Sequence, residues 1–393
     1  MTNDDINALF NDQPASRTRL SMADPCDRTG FEIGWDYAQH RLTPPVDHLH
    51  EGHSVREGWE AGRHSFGQRT LLANRFTRKW LQLRLNAWLR GRVFEIEQSN
   101  LAFLRQIDVE VCPITRETLT HGTETLSDAS VDRVFNDAAY AAGNLAVMST
   151  RANQAKNDYG VDDAMRFARQ IETGGLVGTD GLTAAQWARV AVLTSFVTPM
   201  SHAKAANLPL LVMPPNRLRL LNPVQSLQVI LSLQFNRPGH ARRCAALSRL
   251  MPSADARHAF GTFMHTLLAR RLASGRITGE EAQRHAIEDL WRDPLINARW
   301  QRLALRLTPA DCERIGRIAA ERGLAGCGVR WHANDAATKG WALASGGYVV
   351  QQDCSVDLAN GNSVLWGTGW SWSASPTEVH VRCALRTQMT AAA

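Results

Sequence analysis

The chain of 393 residues has no C-x-x-C pair among its seven cysteines, which stand at 26, 112, 244, 312, 327, 354 and 383. Scattered and odd in number, they fit reduced thiols in a cytoplasm better than a disulfide framework or a zinc knuckle, so zinc is not expected. No window approaches ~18 consecutive apolar residues, so no span and no membrane partner is expected. The N-terminal MTNDDINALFNDQPASRTRL lacks an apolar stretch of signal-peptide length. No period of roughly 20 to 50 residues recurs, which argues against a solenoid. Lysine is scarce. The net charge of +6 and pI near 9.1 come from arginine, whose planar fork suits phosphate, and this tilts the partner toward a polyanion.

What is present is ordinary globular material. Hydrophobic residues make up 44% and charged residues 21%, enough for a real core and too apolar for disorder. The length exceeds what one core usually supports, so about two or three substructures are expected. Residues 1–28 read as a flexible polar arm. Residues 29–67 carry two glycine-aromatic units, Gly34-Trp35 and Gly58-Trp59, around a Thr-Pro-Pro turn at 43–45. That pattern predicts two short helices folded back on each other, with the glycines packing against the tryptophans. His48, His50 and His53 lack the distant Cys or carboxylate of a metal site and read as a solvated turn.

Residues 68–107 predict a basic amphipathic helix, or two joined at Gly91. Nine Arg and Lys stand against three Glu between residues 60 and 105, and Arg78, Lys79 and Arg84 are candidate phosphate contacts. Residues 161–325 predict a helical bundle, with Thr278 and Glu281 as one capping box and Thr308-Pro309 opening a helix that stops at Gly323. Residues 326–388 predict an antiparallel β meander, with strands near 347–352, 363–372 and 378–385. Trp366, Trp370 and Trp372 share one face there, which packs on the bundle or offers a surface to a protein partner. The expected class is mainly α with small β elements.

Residues 108–160 carry the candidate chemistry. Ser130 to Val134 alternates as a short strand, with Asp132 on the side opposite Val131 and Arg133. Gly143-Asn144 forms a turn, and LAVMSTRANQAK runs from a second strand into a helix bearing Asn153 and Lys156. Strand, loop, strand and helix would let a carboxylate and an amide converge on a hard divalent cation such as Mg²⁺ or Mn²⁺, with Arg133, Arg151 and Lys156 nearby for phosphate.

These residues resemble the HNH, or His-Me finger, endonucleases. The matching elements are Cys112-Pro113-Ile114, Asp132-Arg133-Val134, Tyr140, Asn144-Leu145-Ala146-Val147, Ala152-Asn153 and Lys156, which span 112–156. The resemblance implies a ββα-metal-like insertion hydrolysing DNA phosphodiesters with water and one divalent cation. It implies that Asp132 and Asn153 hold the metal, that Asn144 and Tyr140 order the loop, and that Lys156 contacts phosphate. The usual general-base histidine is replaced by Arg133, which keeps its proton and cannot act as a base. His121, upstream, is the candidate substitute. The alternative is a catalytically inactive DNA- or RNA-binding or assembly protein of mobile-element or phage-related type. Residues 30–67 also resemble, more weakly, the ribosome modulation factor type of module, through Arg56, Gly58, Trp59, Gly62 and Arg63; no site is carried from it.

Overall fold

The computed structural model describes residues 25–98, 101–175, 177–332 and 340–344. The described residues are mainly helical, with fourteen α-helices and small antiparallel sheets. They divide into two compact units, 25–93 and 94–344.

The first unit holds α1 (Pro25–Gln39), α2 (Ser54–Phe66) and α3 (Arg75–Leu89). Each start has a local cause. Pro25 opens α1, where the missing N–H is not needed. The His53 ring accepts from Val55 N at 3.3 Å to cap α2, and Asn74 Oδ1 accepts from Phe76 N and Thr77 N, both at 2.9 Å, to cap α3. The expected helical pair over 29–67 is α1 and α2, but the glycines meet backbone rather than tryptophan. A Cβ on Gly34 would overlap Val55 O, and one on Gly58 would overlap Phe31 O. The two helix backbones therefore touch only because these positions have no side chain. The tryptophans pin the ends instead: Trp59 Nε1 donates to Leu42 O at 3.0 Å and Trp88 Nε1 to Cys26 O at 2.9 Å. The basic run does not continue as one helix. Gly91 takes φ +60° just after α3, and helix resumes only at α4 (Leu101–Ile107) in the second unit.

The second unit continues with β1 (Ala129–Arg133), β2 (Leu145–Ser149) and α5 (Thr150–Lys156), followed by α6 (Val161–Gly174), α7 (Ala184–Ser195) and α8 (His202–Ala206). Then come β3 (Arg219–Leu220), α9 (Pro223–Ser232), α10 (His240–Arg249), α11 (Ala254–Ala273), α12 (Glu280–Leu290), α13 (Pro294–Ala304), α14 (Pro309–Glu321), β4 (Gly328–His332) and β5 (Gly340–Ala344). Helix α9 is buried from Val224 to Ser232, which makes it the centre of the bundle. Three of its polar side chains are satisfied inside: Gln225 Nε2 donates to Ser195 Oγ at 2.7 Å, Gln228 Nε2 to Leu208 O at 3.0 Å, and Ser232 Oγ accepts from Trp291 Nε1 at 3.1 Å. Phe263, Trp291 and Trp300 form a buried aromatic cluster with ring centres 5.6–5.9 Å apart, each ring contributing on the order of 2–3 kcal/mol by burial.

Helix α14 starts and stops as expected, with Thr308 and Asp311 forming a reciprocal capping box and Gly323 at φ +64° beyond its end. Helix α12 does not. Gly279, at φ +89°, takes the N-cap position in place of Thr278, so the threonine lies one residue outside the box. The described strands β4 and β5 pair antiparallel, and β3 joins β5, giving the order β3-β5-β4. Two residues of β3 carry no readable period, so this pairing is invisible in sequence. The expected strands over 347–385 and the three tryptophans lie outside the described residues. No described helix is long and apolar enough to cross a membrane.

Candidate functional site

Strands β1 and β2 form an antiparallel hairpin in the register Asp132↔Ala146, and α5 follows directly. Two local features turn the chain from β2 into α5. Ser149 Oγ accepts from Ala152 N at 3.2 Å as the N-cap. Cys112 Sγ accepts from Ser149 N at 3.3 Å and from Thr115 N at 3.4 Å, so the Cys112-Pro113-Ile114 turn clasps this junction. The turn is fastened to the bundle, since Arg189 Nη1 donates to Ile114 O at 2.9 Å and Arg116 Nη2 to the fully buried Glu288 at 2.9 Å.

Pleating puts Ser130 and Asp132 on one face of β1, and helical spacing puts Asn153 and Lys156 on one face of α5. The two faces meet. Asn153 Nδ2 donates to Ser130 Oγ at 2.7 Å, and Lys156 Nζ stands 3.0 Å from Asp132 Oδ2 as an ion pair. Lys156 is fully buried, and Asp132 is 7% exposed. The ammonium also donates to Arg133 O at 3.1 Å and Asn136 Oδ1 at 3.3 Å. Burial pushes the Asp132 carboxyl above the usual carboxylate range, while the Lys156 and Arg133 charges pull it back.

The loop joining the strands is tied by Asn144, which is fully buried. Its Oδ1 accepts from Phe135 N at 2.8 Å, and its Nδ2 donates to Phe135 O and Ala139 O, both at 3.0 Å. Arg133 works on the same loop. Its Nη1 donates to Asn136 O at 2.6 Å and Ala138 O at 3.1 Å, and its guanidinium lies 5.0 Å from the centre of the Tyr140 ring. Tyr140 is buried, and its carbonyl accepts from Glu95 N at 2.9 Å.

The structure thus brings together Asp132, Arg133, Asn144, Asn153 and Lys156, with the Tyr140 ring against the Arg133 guanidinium. Two placements differ from expectation. Lys156, expected at phosphate, is enclosed because its long stem runs inward to the Asp132 carboxylate. Arg84, expected on a phosphate-facing surface, is engaged within the first unit, paired with Asp36 and with Glu32 at 3.2 Å. Asp36 sits in low dielectric, and its carboxyl is pushed up to about 6 by burial, with Arg84 acting in the opposite direction. Arg78 is exposed on α3, and Lys79 is half-buried with Nζ 3.4 Å from Gln82. Arg151 faces outward from α5, 3.4 Å from Glu117, on the wall of a surface pocket of about 560 Å³ shared with Gln154, Tyr159 and Asp180.

His121 is exposed, in a turn that closes on Asp128. There the Thr120 and Thr123 hydroxyls donate to Asp128 Oδ1 at 2.6 and 2.7 Å, and they hold its carboxyl down at about 2. The charges that act on Asp132 are those of Lys156 and Arg133. Sequence reasoning missed Ser130 and Asn136. A Ser two residues before Asp132 on the same strand face was the readable signal for the first; Asn136 had none.

A divalent cation does not fit the arrangement observed. Its place beside Asp132 is taken by an ammonium, and one carboxylate already balances one positive charge. Among the described residues no group of three or more His, Cys, Asp or Glu is placed to hold a metal ion. No family model, curated protein or solved structure matches the chain.

Proposed function

We propose that this chain is an HNH-like nucleic-acid-binding protein, with DNA as the favoured partner, in which residues 112–156 act as a binding finger rather than a hydrolytic one. The observation that carries the reading is the enclosed Lys156 ammonium 3.0 Å from Asp132 Oδ2. The order β1, β2, α5 and the loop tie at Asn144 support the kinship. The arginine-derived charge of +6 supports a polyanionic partner. Arg133 supports the non-hydrolytic version, because a permanently protonated group tied to two loop carbonyls cannot take a proton from water.

The test is a titration of duplex and single-stranded nucleic acid at several salt concentrations, with and without EDTA, alongside incubation of plasmid with Mg²⁺ or Mn²⁺. Salt-sensitive, EDTA-insensitive binding without cleavage is expected. Absence of binding at low salt would overturn the reading.

A second reading is a divalent-metal-dependent endonuclease, favoured by the ordered set Asp132, Asn144 and Asn153 around one hairpin and helix. It requires the Lys156 side chain to leave Asp132 before a cation enters. Cleavage that disappears in Asp132→Ala would establish it in place of the first.

A further inference from the structure

We propose that Lys156 is the resident cation of the finger: its ammonium permanently holds the position between β1, α5 and the loop that a divalent ion would need, so the finger is complete without metal. The comparison with a metal site rests on the finger reading above; the test does not depend on nucleic-acid binding.

Three features carry it. First, the position is occupied. Lys156 Nζ has three oxygens around it, donating hydrogen bonds to a main-chain carbonyl at 3.1 Å and a side-chain amide at 3.3 Å and pairing by charge with the Asp132 carboxylate at 3.0 Å. This is the hard-oxygen set a divalent cation would seek, drawn from β1 and the loop and closed by the helix.

Second, the charge is balanced. One carboxylate faces one ammonium in a fully enclosed position, so a dication added there would meet a like charge and no further anionic ligand. The Asp132 carboxylate keeps a counter-ion whatever the metal content of the solution.

Third, two cationic residues of the finger, Lys156 and Arg133, act on one point. Lys156 holds the Asn136 side chain from inside, while Arg133 holds the Asn136 carbonyl through its own guanidinium. Arg133 stands where a base would, and Lys156 stands where a metal would. Both grip the loop between the strands, and together with Asn144 they replace chemistry with rigidity. They are positioning residues.

The experiment uses the full chain. Thermal unfolding is followed with millimolar Mn²⁺, with Mg²⁺ and with EDTA, and Mn²⁺ uptake is read by electron paramagnetic resonance. The wild type is expected to show the same Tm in all three conditions and no Mn²⁺ signal that Asp132→Asn removes. Lys156→Met is expected to lower Tm by about 10 °C by stranding the buried carboxylate. The double variant Asp132→Asn/Lys156→Met, which removes both charges, is expected to recover at least half of that loss. Stoichiometric Mn²⁺ uptake by the wild type that Asp132→Asn abolishes would overturn the proposal, as would a Lys156→Met Tm unchanged from wild type. Should Lys156→Met fail to fold, the wild-type uptake and the folding of the double variant still decide.

Discussion

The α1–α2 hairpin and the β1–α5 contact both bring two backbone elements close together, and they do it by opposite means. In the hairpin, Gly34 and Gly58 remove side chains so that backbone meets backbone. In the finger, the gap is filled by polar side chains that reach across it, Asn153 to Ser130 and Lys156 to Asp132. The first strategy leaves nothing polar to satisfy and tolerates no added atom. The second tolerates side chains but makes each partner indispensable, because a buried group without its partner costs its full desolvation. Packing by absence confers proximity alone, whereas packing by charge also fixes what can enter the space.

Filling the glycine side should break the comparison hardest. Gly58→Leu places atoms where Phe31 O already lies, and a loss of about 4 kcal/mol or more is expected, read as reduced helicity and early unfolding in circular dichroism. Retained wild-type stability would mean the helices cross differently. On the finger side, Asn144→Ala removes one acceptor and two donor contacts inside a fully buried loop. It should cost ~2–3 kcal/mol in denaturant unfolding and speed hydrogen exchange at Phe135.

The smallest effect sharpens the contrast between two buried carboxylates. Asp36 in the first unit, like Asp132, is raised by burial despite a cationic partner, and its folded value of about 6 exceeds the ordinary 3.8. A raised carboxyl favours the folded state at low pH. Its contribution is fully present below 3.8 and is lost as pH rises through about 6. Asp36→Asn should therefore gain on the wild type as pH rises across that window. A difference independent of pH would show that Arg84 and Asp36 stay equally ionised folded and unfolded.

Part of the site was legible in residue order. A strand followed by Gly143-Asn144, a second strand and a capped helix can be read locally, and so the positions of Asp132, Asn144 and Asn153 on hairpin, loop and helix could be expected. Their partners could not. Lys156 looked like a phosphate ligand because a lysine at a helix end usually faces water; only the depth of the finger turns it inward. Arg84 looked available for the same reason, until α1 supplied Asp36 and Glu32. Thr278 failed as a cap because Gly279 can adopt a positive φ and take the position first.

The sequence by itself determined what depends on neighbours a few residues away: the Thr308 cap and Gly323 stop of α14, the alternation of β1, a helical pair over 29–67, and a mainly α class with little β. The tertiary structure alone decided the pairing of groups far apart in the chain. Asp132 and Lys156 are joined across the hairpin, Asp36 and Arg84 across two helices, and β3 finds β5 across the bundle. The physical reason is range. Capping and periodicity are written into consecutive backbone geometry, whereas the partner of a buried charge is set by which surfaces lose water together, and that is fixed only when the chain closes on itself.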